Sequence, residues 1–154
     1  MRKKGTLFLV IVLMFITACS TNEKKEVTSQ SQPVQEKIII SKLQKGITLQ
    51  QYKSQTKKDI IATFNDPSVT EVFINAFKEA EMISGVANVA SPKYEVTFQK
   101  NGAESSYYLW ININDQTSNA MYMTIDDTST AYKISVEYTN SMNKIFKEIE
   151  KQAN

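Results

Sequence analysis

Hydrophobic residues along this chain fall into three regimes. An almost unbroken apolar run comes first, Thr6–Ile16 (TLFLVIVLMFI). Ser20–Glu36 (STNEKKEVTSQSQPVQE) then holds two aliphatic residues, both Val, and no aromatic. From Lys37 onward apolar and polar positions interleave, with periods of two or of three to four. A period of two marks a strand with one buried face; the longer period marks an amphipathic helix.

The interleaved part predicts six strands and two helices. Lys37–Leu43 (KIIISKL) and Asp59–Phe64 (DIIATF) are β-branched and apolar, two short strands. Between them, Gln44–Lys58 is polar but holds Ile47, Leu49 and Tyr52, and reads equally as a packed loop or a short helix. Asn65-Asp66-Pro67-Ser68 starts a helix: proline fits the first turn, and Ser68 with Glu71 matches a capping box. Val69, Val72, Phe73, Ala76, Ala80 and Ile83 recur on one face as far as Ser84-Gly85, the expected stop. Lys93–Lys100 puts Tyr94, Val96 and Phe98 on one side, and Asn101-Gly102 favours a tight type I′ hairpin turn. Ser105–Ile113 then places Tyr107, Leu109, Ile111 and Ile113 inward. Two more strands follow: Ala120–Ile125, with Met121, Met123 and Ile125 as the apolar set, and Ala131–Glu137, with Tyr132, Ile134 and Val136. A last helix near Asn140–Gln152 carries Met142, Ile145, Phe146 and Ile149. The order β-β-α-β-β-β-β-α predicts one α+β domain over residues 37–154, an antiparallel meander with two amphipathic helices packed on one face. Val72, Phe73, Leu109, Ile134 and Phe146 are its expected core.

The start of the chain reads as an address. Met1–Gly5 is short and basic, and the apolar run after it is shorter than the ~20 residues a spanning helix needs. Ile16-Thr17-Ala18-Cys19 resembles the lipobox of bacterial lipoproteins. That resemblance implies cleavage of residues 1–18, a diacylglyceryl group on Cys19, and a mature chain that begins there. Residues 19–36 would then be the lipidated Cys and a flexible polar tether, too apolar-poor to offset its ordering entropy. A lipid with two or more acyl chains anchors a protein stably, so the expected location is the extracytoplasmic side of the cell membrane. A composition rich in Lys and Ile, with Arg2 as the only Arg, suggests an AT-rich Gram-positive bacterium.

Charge and composition narrow the chemistry. Three of the 18 basic residues lie in the cleaved segment and none of the 16 acidic ones does, so the remainder carries a net charge of −1. Such a chain has no general electrostatic case for nucleic acid. It has no His, and its one Cys is the lipidation site, so Ser–His, Cys–His and His-ligated metal centres are excluded. Glu79 with Glu81, and Glu148 with Glu150, are two residues apart on expected helices and diverge. Asn112-Ile113-Asn114-Asp115 and Asp126-Asp127 fall at opposite ends of an expected hairpin, where turn formation explains them as well as calcium binding does. No catalytic residue, metal or cofactor is therefore expected.

The strand Pro92-Lys93-Tyr94-Glu95-Val96-Thr97-Phe98, the Leu109-Trp110 pair, Tyr122-Met123 and Tyr132-Lys133-Ile134 resemble the YhfM-like domain of small Bacillus-type lipoproteins and membrane-anchored proteins. Phe73…Ala76…Ala80…Gly85 agrees with the same pattern. The likeness spans about residues 37–150 and implies an anchored domain of this fold, with no activity attached. The expected function is a non-catalytic interaction module for an envelope protein, peptide or glycan. The alternatives are an envelope enzyme built on carboxylates and Lys, and an accessory or inhibitory lipoprotein of a secretion or resistance system. The candidate contact residues are Tyr108, Trp110 and Tyr122, which strand alternation points outward among Glu95, Thr97, Gln99, Asn112, Lys133, Ser135 and Glu137. Cross-strand aromatic pairing, or coverage by Gln44–Lys58, would account for the same residues.

Overall fold

The computed structural model describes residues 36–43, 58–84 and 89–152. The expected leader, Cys19, the tether as far as Gln35, Gln44–Lys57 and Gly85 lie outside the described residues.

The described residues form seven strands and two helices: β1 (Lys37–Lys42), β2 (Asp59–Phe64), α1 (Pro67–Lys78), β3 (Glu81–Ile83), β4 (Tyr94–Lys100), β5 (Ala103–Trp110), β6 (Met121–Thr124), β7 (Ala131–Lys133) and α2 (Val136–Gln152). The strands form one antiparallel sheet in the order β2-β1-β4-β5-β6-β7-β3. The expected meander is its centre, β4 to β7. At the β4–β5 turn, Asn101 (φ 54°) and Gly102 (φ 80°) both take positive φ, as the Asn-Gly pair predicts.

Both helices pack on one face. Ile38 and Ile40 of β1, Tyr94 and Val96 of β4 and Leu109 of β5 meet Phe73 and Ala76 of α1 and Met142, Phe146 and Ile149 of α2. Phe146 joins the layers: its ring lies 4.6 Å from Tyr94 on the sheet and 6.2 Å, edge-on, from Phe73 on the other helix. Of the expected core, Phe73, Leu109, Ile134 and Phe146 are fully buried, whereas Val72 is half-buried at the margin.

Strands β5 and β7 end at Trp110 and Lys133, short of the expected Ile113 and Glu137, and the helix ends differ from the expectation as well. Helix α1 stops at Lys78 rather than Ser84, because Glu81–Ile83 is drawn into the sheet. Glu81 pairs with Lys133 of β7 through the backbone register and a 2.9 Å ion pair, which holds its carboxyl below the usual range. The α1 cap is Asp66, which accepts from the Ser68 N–H and hydroxyl at 2.8 Å each, in place of the expected Ser68–Glu71 box. Helix α2 begins at Val136, not Asn140. Ser135 caps it, accepting the Tyr138 N–H on its hydroxyl at 3.3 Å and the Thr139 N–H on its carbonyl at 2.9 Å. Thr139, fully buried, then accepts the Ala120 N–H at 2.8 Å and fixes the helix start to the head of β6.

Candidate binding groove

The outward aromatic spot expected on the sheet does not form. Leu109 pairs with Tyr122 and Tyr122 with Tyr132, and residues directly opposite share a face. Tyr122 therefore points inward, 7% exposed, which corrects its expected outward position. Its strand is apolar on both sides, so alternation alone left the phase open; Met123, taken as inward, pairs with Tyr108 on the outer face and is fully buried there. Tyr108 does face outward but is 1% exposed, in a small cluster with Leu43, Trp110 and Ile125. Trp110 is half-buried, edge-on to Tyr108, and its indole N–H donates to the Ala90 carbonyl at 2.6 Å. The three candidate residues are thus divided between two faces of the sheet.

On the outer face, Glu95 is 2% exposed and receives the Lys58 ammonium and the Thr97 hydroxyl. It is the buried carboxylate among the described residues, and its charge is already matched. Asp115 and Asp127 each accept the N–H and hydroxyl of the residue two ahead, Thr117 and Ser129, which lowers their carboxyls from the usual range. Asn143, buried on α2, donates to the carbonyls of Asn112 and Asp115 and docks that turn on the helix. The Asn and Asp clusters thus serve turns and docking.

The inner face offers something different. The two described helices, each about 10 Å across with side chains, cannot roof the seven described strands spaced about 4.8 Å apart. Beyond the last turn of α1, no described residue covers a corner of the sheet. There an open groove of about 310 Å³ has a floor of Phe77, Phe98, Tyr107 and Tyr122. Phe77 holds the rings together, 5.0 Å from Phe98 and 5.2 Å from Tyr107, both edge-on, and stacked at 4.4 Å on Tyr122. Phe98 and Tyr107 remain partly exposed. The Tyr122 hydroxyl donates to the Phe77 carbonyl at 3.0 Å, pairing one of the carbonyls left open at the helix end. Burial, followed by the neighbouring Tyr107 and Tyr132, pushes the Tyr122 hydroxyl up to about 12.

Lys37, Lys78 and Lys100 stand on the groove's rim, with Glu36 ion-paired to Lys100. Among the described residues, no carboxylate lies within ion-pair distance of Lys37 or Lys78. A box of aromatic rings ordinarily suits a cation, but this rim carries a net positive charge and reverses that preference. Phe77 was absent from the stripe read along α1. The Phe73-to-Phe77 step of four residues is the sequence signal that places it on the buried face.

Residues 32–152 match the family model described as YhfM protein. No curated protein and no solved structure matches the chain.

Proposed function

We propose, on the premise that this chain belongs to the YhfM protein family, that it is a non-catalytic interaction module. A diacylglyceryl group on Cys19 holds it at the outer face of the cell membrane, residues 19–36 space it from the bilayer, and a partner docks at the groove beyond α1. The observation that carries the reading is the groove itself. Partly exposed rings on a rigid sheet, bordered by side chains with free charge, offer contact area at low entropic cost. The sheet's buried carboxylate, by contrast, is occupied by Lys58.

Two measurements test the reading. A photo-crosslinking amino acid at Lys78 in intact cells should trap a discrete adduct that the same group at Lys144, on α2, does not. Identical adducts from both positions, or none from either, would remove the groove as a docking point. For the anchor, Cys19→Ser should abolish incorporation of a fatty-acid probe and release the protein from the membrane fraction, or leave unprocessed precursor; continued labelling would overturn it.

A further inference from the structure

Resting on that reading of the groove, we infer that its ligand is an acidic peptide segment bearing an aromatic side chain, bound with the ring in the groove and the flanking carboxylates on Lys37 and Lys78. Three observations converge on this chemistry. The floor is aromatic, and a fifth ring finds both edges and faces to pack against. A volume of about 310 Å³ lies at the small end of ligand sites and suits one side chain rather than a long acyl chain. The rim is cationic, and Lys37 and Lys78 have no acidic partner among the described residues.

A polar hollow of about 550 Å³ beside the β4–β5 turn, lined by Thr63, Gln99, Asn101 and Glu104, lies on the opposite, outer face of the sheet by strand register and forms no part of this groove. The Lys–carboxylate contacts are solvent-exposed, so they select the ligand's sign and hasten encounter more than they add affinity.

The probe is a capped pentapeptide, Asp-Asp-Phe-Asp-Asp, titrated into the purified full-length protein while backbone amide shifts are followed. Shifts should concentrate at residues 37–38, 77–78 and 98–102 and saturate with a Kd of about 0.1–1 mM, the weak range expected for one anchor and a few exposed charges. Replacing Phe by Ala in the peptide should weaken binding by about tenfold. Replacing all four Asp by Lys should abolish it, and Lys78→Glu should weaken the acidic peptide by about fivefold or more, with the effect shrinking at high salt. Shifts elsewhere, no saturation, or equal binding of the lysine peptide would overturn the inference. Sedimentation with phosphatidylglycerol vesicles that depends on Lys78, in a protein that ignores the acidic peptide, would assign the site to a membrane surface and also overturn it. If the peptide fails while the Lys78 crosslink in cells persists, the ligand chemistry is wrong and the docking point stands. If the crosslink fails while the peptide binds, the groove binds such segments in solution but is not the docking point in cells.

Discussion

Tyr122 is the residue at which the two readings of the sheet diverge most, and removing its hydroxyl separates them. In the structure that hydroxyl donates to the Phe77 carbonyl, and the ring is stacked between Phe77 at 4.4 Å and Tyr132 at 4.9 Å. Tyr122→Phe keeps the stack and removes one hydrogen bond, leaving a buried helix-end carbonyl unpaired. The expected loss is about 1–2 kcal/mol, the cost of orphaning one buried acceptor. Tyr122→Ala also deletes the ring and opens a cavity under α1, for about 3–5 kcal/mol. Equilibrium urea unfolding, followed by Trp110 emission and by far-UV circular dichroism, measures both. The Phe variant should melt a few degrees lower, at roughly 4 °C per kcal/mol in a domain of this size. The same group supplies a pH signature. Burial favours its neutral form, so the folded-state pKa, about 12, lies above the unfolded value near 10. The folded protein then holds a proton the unfolded chain gives up, and this stability is complete below pH 10 and lost as pH rises through about 12. The gap between wild type and Tyr122→Phe should therefore narrow above pH 10. A loss under about 0.5 kcal/mol for Tyr122→Ala, with no change in the gap at alkaline pH, would place the side chain on the surface and refute the register argued here.

Three further outcomes follow from particular contacts. Phe146→Ala, which removes a fully buried ring touching Tyr94 and Phe73, should cost about 3–5 kcal/mol in urea unfolding. Ser135→Ala should cost about 1 kcal/mol by loss of the α2 cap, with Ser135→Asp restoring most of it; equal stability of all three would deny the cap. Gly102→Ala should cost about 1 kcal/mol from its φ of 80° alone, since an added Cβ meets nothing within 4 Å; an unchanged midpoint would mean the turn relaxes to another type.

Local pattern determined much of this protein. The β-branched run at Lys37–Lys42, the alternation through Tyr94–Lys100 and the Asn101-Gly102 turn each confine the backbone within a few residues, so they were legible without partners. The apolar stripe of α2, part of that of α1 (Phe73 and Ala76, but not Phe77) and four of five expected core residues were legible for the same reason. Long-range pairing decided the rest. Glu81–Ile83 fits the end of a helical stripe until β7, about 50 residues away, offers it backbone partners and an ion pair. Strand β6 is apolar on both faces, so only its register against Leu109 turns Tyr122 toward α1 and leaves Met123 on the far side. The groove is a tertiary product for the same reason. Phe77, Phe98, Tyr107 and Tyr122 come from three strands and a helix; Phe98 and Tyr107 read as ordinary core, Tyr122 read as outward and Phe77 was not read at all, and what gathers their rings in an open groove is that the two described helices are too narrow to cover the seven described strands.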